Sequence, residues 1–472
     1  MIRFSSHGAA KQVTGSCHLI ETERARVLID CGLFQGGREL EEDNSDAFAF
    51  DAARIDAVLL THAHLDHCGR LPLLRKRGFR GAILATDATR ELTRLVLLDA
   101  AGLQEEQARR AERRAGRNGA NVTPPLYGIT DALRCIDDFA APLGYSERRA
   151  VAPGIHATFV NAGHILGSAS VLLDIEDGDE RLRVLFSGDI GNPGRPLLES
   201  PAPPPAAPDV VVMETTYGDR DHRPWQASVD ELVQAVAITL QRGGNVIIPT
   251  FALERAQEVL YALYSGIRAG ALPQRLPVFL DSPMAISATE IFLAHRDALR
   301  ASFVEELTQH DPLQLLGLRM TRETAESMAI NQIRGGAVIM AGSGMATGGR
   351  VRHHLRHNLW HADNSIVFVG YAARGTPARQ IIDGARQIRL FGDDIMVRAQ
   401  IHTINGFSAH AGRSELLAWL RRCGQPRRVL LVHGDYERGM QAFGALLDRE
   451  GYAWQMPGAG EPILLDDRAR QT

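Results

Sequence analysis

Lysine is almost missing from this chain. Only Lys11 and Lys76 stand among the 52 basic residues of a 472-residue sequence that carries 56 acidic ones. The net charge of −4 excludes a protein that holds polyanions by bulk positive charge, though not one that grips a few phosphates. Cysteine is scarce too: Cys17, Cys31, Cys68, Cys135 and Cys423 are odd in number, scattered, and include no Cys-x-x-Cys pair. That excludes a disulfide framework and a cysteine-type zinc site, and it fits a reducing compartment. No run approaches the roughly 18 apolar residues of a membrane span. Met1-Ile2-Arg3-Phe4 opens no signal-peptide stretch. A cytoplasmic protein with no membrane partner is expected. Internal repeats and low-complexity tails are absent as well.

What is present is the balance of a globular enzyme, 45% hydrophobic and 23% charged. The length predicts two domains. Short apolar runs at Val27–Ile29, Ala57–Leu60, Ala82–Leu84, Val184–Phe186, Val210–Met213, Val246–Ile248, Pro277–Leu280, Ala337–Met340, Ile366–Val369 and Val429–Val432 read as strands covered on both faces. Amphipathic stretches at Thr89–Arg113, Trp225–Arg242, Arg255–Ala269 and Ser414–Arg422 read as helices. The class is α/β with buried sheets. The Pro/Ala-rich stretch 200–208 forms neither helix nor central strand and reads as a connection.

One segment concentrates chemistry. Thr61-His62-Ala63-His64-Leu65-Asp66-His67 follows directly on the strand Ala57–Leu60. Imidazole is the commonest zinc ligand, and a carboxylate completes mixed sites. His62 and His64 alternate, so an extended loop aims both rings at one point. Asp66 and His67 come from the next bend and face a neighbouring point. Further donors follow other strands: His164 after Ala162-Gly163, Asp189 after Phe186-Ser187-Gly188, and His433 after Val432. Strand ends are where α/β sheets place their sites. One metal would take His62, His64 and His164; a second would take Asp66, His67 and His433; Asp189 would bridge. Two zinc ions so placed activate water near neutral pH and clamp an in-line displacement at phosphorus. The segment Gly342–Arg350, rich in glycine, offers backbone N–H groups for a phosphate but lacks a Walker ending. Arg350, Arg374 and Arg379 stand near Gly-rich turns, where ordinary surface arginine is the simpler reading.

The His-x-His-x-Asp-His pattern with its later His164, Asp189 and His433 resembles the metallo-β-lactamase superfamily. The implied fold is an αββα sandwich. A second set narrows the resemblance to the β-CASP branch of nucleic-acid hydrolases: Glu214 in Val212–Gly218, His410 in Phe407-Ser408-Ala409-His410, and His433 in Val432-His433-Gly434 look like its motifs A, B and C. The resemblance implies an inserted α/β β-CASP domain at residues 219–400, between metallo-β-lactamase parts at 1–218 and 401–472. A His at motif C resembles the RNA-acting members rather than the DNA-repair ones.

The implied activity is a zinc-dependent ribonuclease with two zinc ions, hydrolysing single-stranded RNA internally, from the 5′ end, or both. Asp66, Glu214 and His410 are the expected catalytic residues. His410 would act as general acid or phosphate contact, Glu214 would orient it, and Ser408 would hold the phosphate. Members of the branch often form homodimers. A DNA nuclease of the same branch and a small-molecule metallohydrolase stand as alternatives.

Overall fold

The computed structural model describes residues 1–36, 43–118, 123–370, 372–373 and 375–465. The chain forms two compact units. The first comprises Met1–Pro193, Ser200–Asp221 and His410–Thr472; the second comprises Gly194–Glu199 and His222–Ala409. The Pro/Ala-rich stretch 200–208 therefore runs within the first unit. Among the described residues, no helix is long and apolar enough to cross a membrane.

The first unit is built on two sheets. In one, the strands run in the order Ile463–Leu464, Arg3–Ser6, His18–Glu21, Arg26–Ile29, Ala57–Leu59 and Ala82–Leu84. In the other the order is Trp454–Gln455, Arg428–Val432, Val210–Glu214, Glu180–Phe186, Ala169–Asp177, Ile155–Asn161 and Arg148–Ala152. The strand alternation decides which residues meet between them. Phe4, Ile20, Val27, Ile29 and Leu59 from one sheet share a core with Phe159, Val171, Val184, Phe186, Val212 and Val432 from the other. The alternate residues Val211, Met213, Val429 and Leu431 face outward instead. There they pack on Leu416 and Leu420 of the helix Arg413–Arg422 and on Phe443 and Leu447 of the helix Gln441–Glu450. Leu28, Val58 and Ile83 of the first sheet are likewise buried. Both faces of these central strands are covered, which is why they read as continuous apolar runs rather than alternating ones. The architecture is the expected αββα sandwich.

The second unit holds a six-stranded sheet in the order Leu318–Met320, Val278–Leu280, Val338–Ala341, Val246–Pro249, Ser365–Val369 and Gln400–Ile404, parallel at every pairing. The helices Trp225–Gln241, Arg255–Arg268, Pro283–Ala294 and Val351–Asn358 alternate with those strands along the chain, as parallel pairing requires. The two units match the expected combination of a sandwich and an inserted α/β domain.

In the second unit Asp281, directly after the strand Val278–Leu280, is fully buried. It accepts hydrogen bonds from Thr321 Oγ1 at 2.7 Å, Ser327 Oγ at 2.6 Å and Arg350 Nη1 at 2.8 Å, and pairs with His354 Nε2 at 2.6 Å. Burial pushes its carboxyl up, but the bonds from His354, Ser327, Thr321 and Arg350 outweigh that and hold it at about 2. Arg350, a candidate phosphate contact in the sequence, is thus engaged in the fold. Arg379 pairs with Asp383, and Arg374 lies outside the described residues. Asp281→Ala should cost about 3–5 kcal/mol, because it strands buried charge and donors. Urea unfolding followed by circular dichroism checks this. The Asp281 contribution should be whole above about pH 4 and fade as pH falls through about 2.

Candidate metal centre

All seven expected ligands lie in the first unit, at strand ends. His62 and His64 follow Ala57–Leu59, and His64 caps the single helical turn Leu65–Cys68 that carries Asp66 and His67. His164 follows Ile155–Asn161, Asp189 follows Glu180–Phe186, and His433 follows Arg428–Val432. Parallel register sets their level: Val212 pairs with Phe186, and Glu214 with Val432. Two close approaches hold the loops together. A Cβ at Gly32 would meet the Asp66 carbonyl oxygen at 1.6 Å, and one at Gly191 would meet that of Gly163 at 1.7 Å, so both positions need glycine.

The donors converge in two groups. His62, His64, His164 and Asp189 place one ligand atom each within 4.8 Å of one another, and so do Asp66, His67 and His433. His64 Nδ1 lies 3.1 Å from His62 Nε2 and 3.2 Å from His164 Nε2. In the second group His67 Nε2 and His433 Nε2 are 3.1 Å apart, and His433 Nε2 is 3.5 Å from Asp66 Oδ2. Asp189, 2% exposed, reaches both groups. Its Oδ2 is 3.3 Å from His62 Nε2, and its Oδ1 is 3.4 Å from His67 Nε2.

This donor set fits metal ions. Tetrahedral zinc with imidazole nitrogens at about 2.0–2.1 Å separates them by about 3.3 Å, close to the nitrogen spacings here. Asp189 Oδ1 is buried without a hydrogen-bond partner among the described residues. Burial drives the His62 imidazole down to about 3 and His64 to about 4, and lowers His164 as well. A neutral imidazole is the form that ligates. Asp189 is held well below the carboxylate range: burial raises it, but His433, His67 and His62 outweigh burial.

A second layer orients these rings. His67 Nδ1 lies 2.7 Å from Asp30 Oδ2, while Asp30 Oδ1 accepts the Thr61 N–H at 2.8 Å. With Nδ1–H given to Asp30, His67 presents Nε2 to the centre. Thr61 Oγ1 meets His62 Nδ1 at 3.0 Å, and Thr216 Oγ1 meets His433 Nδ1 at 3.2 Å. None of Asp30, Thr61 and Thr216 was among the expected site residues. The one signal for Asp30 was a carboxylate directly after the apolar run Val27–Ile29.

Beside the metal groups stands His410, 20% exposed at its side chain. Its Nδ1 lies 3.2 Å from Glu214 Oε1. Glu214 is fully buried and accepts the Ile190 N–H at 2.6 Å and the Thr216 N–H at 3.2 Å. Burial opposes charge on His410, but Glu214 and then Asp189 overcome it and raise the imidazole to about 9. Ser408, the remaining expected residue, is buried in the second unit at the end of the turn Asn405–Phe407.

Family models match nearly end to end: the metallo-beta-lactamase superfamily over residues 10–238, the Beta-Casp domain over 256–381, and a Zn-dependent metallo-hydrolase RNA specificity domain over 394–457. The chain belongs to the metallo-beta-lactamase superfamily. Within that superfamily it carries the Beta-Casp insert, and it is a metal-dependent hydrolase with a metal-binding His/Asp cluster. It is 41% identical over 467 residues to Ribonuclease TTHA0252 of Thermus thermophilus, covering 98% of this chain and 100% of that one. It is 34% identical over 453 residues to Transcription termination factor FttA of Methanothermobacter thermautotrophicus, covering 92% of this chain and 67% of that one. The crystal structure of a protein of unknown function from Enterococcus faecalis superposes with a TM-score of 0.55 at 12% identity, covering 98% and 99% of the two chains, a likeness of fold alone.

Asp30→Asn, which keeps an acceptor for the Thr61 N–H, should weaken metal binding about 10- to 100-fold. Competition against a chromophoric chelator measures the affinity. Wild-type affinity in a folded variant would show that Asp30 does not orient His67.

Proposed function

We propose that this protein is a zinc-dependent ribonuclease that hydrolyses phosphodiester bonds of single-stranded RNA in RNA processing or decay. The observation that carries the reading is the pair of fully buried Glu214 with partly exposed His410 beside two converged donor groups. The ribonuclease named among the relatives and the RNA specificity domain support RNA as the substrate. Two zinc ions are assigned, one to His62, His64 and His164, the other to Asp66, His67 and His433, with Asp189 shared. When bound they supply water activation near neutral pH and charge stabilisation at phosphorus.

The chain's own residues do the rest. Glu214, anchored by two backbone N–H groups, accepts from His410 Nδ1 and holds the ring protonated. His410 then presents Nε2–H to the scissile linkage. As water adds to phosphorus and the bond to the 3′ oxygen breaks, that oxygen takes the His410 proton. The products carry 5′-phosphate and 3′-hydroxyl ends, and the water's surplus proton goes to solvent. Ser408 is assigned as a phosphate contact. Residues 1–193, 200–221 and 410–472 are assigned to the metal-binding domain and 194–199 with 222–409 to the insert, in place of the boundary expected at 400, because the strand Gln400–Ile404 belongs to the second unit's sheet. Five buried free cysteines support a reducing, cytoplasmic location. The expected form is a homodimer, which sedimentation equilibrium reads directly.

The test is cleavage of 5′-labelled single-stranded RNA and matched DNA, with and without a chelator. RNA should be cut, the chelator should abolish cutting, and zinc should restore it, at two zinc ions per chain by elemental analysis. The product ladder separates internal from 5′-end attack. Cleavage of DNA at an equal rate would replace the substrate class. His410→Ala should lower kcat by about 10²- to 10⁴-fold with zinc content unchanged. Asp66→Ala should lower both zinc content and rate. Substantial cleavage by both variants would overturn the mechanism.

A further inference from the structure

The chain passes between its two units at four points: after Pro193, after Glu199, after Asp221 and after Ala409. In the second unit, Arg195 gathers the segments that adjoin these points. It belongs to the short excursion Gly194–Glu199 and is 5% exposed. Its Nε donates to Glu258 Oε1 at 2.7 Å, and its Nη2 lies 2.6 Å from the same oxygen. Glu258 is 1% exposed and sits on the helix Arg255–Arg268. The other arm of the guanidinium, Nη1, donates to the Gly406 carbonyl at 2.7 Å. The flat cation lies 4.2 Å from the ring centre of Trp225, just past the third crossing, and 5.9 Å from that of Phe407, just before the fourth. Trp225 and Phe407 meet edge to face at 4.9 Å. Gly406 is wedged in place, since a Cβ there would meet Ser228 Oγ at 1.8 Å.

A buried guanidinium with this set of partners is a costly feature. Its planar fork reaches one carboxylate oxygen and one carbonyl in fixed directions, which lysine does not reproduce. From Gly406 the chain runs through Ser408 and Ala409 to His410. His410 is secured at its far side by Glu214 and by a strand bridge to Gly191. We infer that Arg195, through Glu258 and Gly406, is a positioning residue for the reaction: it fixes the near end of the segment that delivers His410. The inference rests on the reading of His410 as proton donor to the 3′ oxygen. A misplacement of about 1 Å in such a group costs about 10²-fold in rate.

The experiment compares Arg195→Lys, Glu258→Gln and His410→Ala in the full chain loaded with zinc. Each is assayed on ordinary RNA and on RNA whose scissile 3′ oxygen is replaced by sulfur, which leaves as thiolate without a proton. Arg195→Lys and Glu258→Gln should keep two zinc ions and lower kcat about 10- to 100-fold on ordinary RNA, with KM within about threefold. On the sulfur substrate both should recover to near the wild-type rate, as should His410→Ala. A variant that is merely destabilised gives no such recovery. Wild-type kcat on ordinary RNA in a folded Arg195→Lys or Glu258→Gln would overturn the inference. So would equal slowing on both substrates while His410→Ala recovers. Equal slowing of His410→Ala itself would instead remove the proton-donor reading, and the inference with it. Should Arg195→Lys not fold, Glu258→Gln decides alone.

Discussion

A carboxylate with almost no access to water, ringed by imidazoles, is the constraint on which this molecule depends. Asp189 sits within 3.6 Å of nitrogens of His62, His67, His164 and His433. Removing a carboxylate from water costs several kcal/mol unless charge or hydrogen bonds answer it. The imidazoles that answer it come from three other strand ends. Their convergence therefore requires the register of both sheets to be correct at once. The apolar core between the sheets supplies that register: a slip by one residue would turn Val184, Phe186 and Val212 outward.

The same burial sets the chemistry. His62, His64 and His164 are kept neutral by desolvation and are ready to ligate. His67 and His410 are driven the other way against burial: Asp189 and then Asp30 raise His67, and Glu214 and then Asp189 raise His410. Asp30 lies 2.7 Å from His67, and Glu214 lies 3.2 Å from His410. One centre thus holds imidazoles of opposite protonation tendency, because His67 and His410 each have a further carboxylate at hydrogen-bond distance besides Asp189, while His62 and His164 have Asp189 alone.

Two buried ionic clusters stand out in the second unit. Asp281 binds together a strand end, the helix Val351–Asn358 and the Arg350 turn. Arg195 binds together segments far apart in sequence, adjoining the places where the chain enters and leaves the unit. Buried pairs of this kind are weak devices for stability and good ones for fixing registry. That property is what a chain segment leading to a reacting group requires.

Much of this was legible in the residues. The continuous apolar runs marked the strands of both units, because strands covered on two faces have no polar side to show. The tight spacing of His62, His64, Asp66 and His67 marked the metal loop, because one loop supplies both groups. Asp30 and Arg195 were not legible. Neither belongs to a motif of chemical spacing, and their partners lie 37 and 63 residues away in sequence. Ordered motifs also named Glu214 and His410, but not that Glu214 is fully buried and anchored by backbone N–H groups. By itself the sequence determined which groups can ligate, donate or pack, since those are properties of side chains and local periodicity. The tertiary structure decided their protonation, orientation and mutual distance. Those depend on burial and on neighbours that only long-range strand pairing brings together.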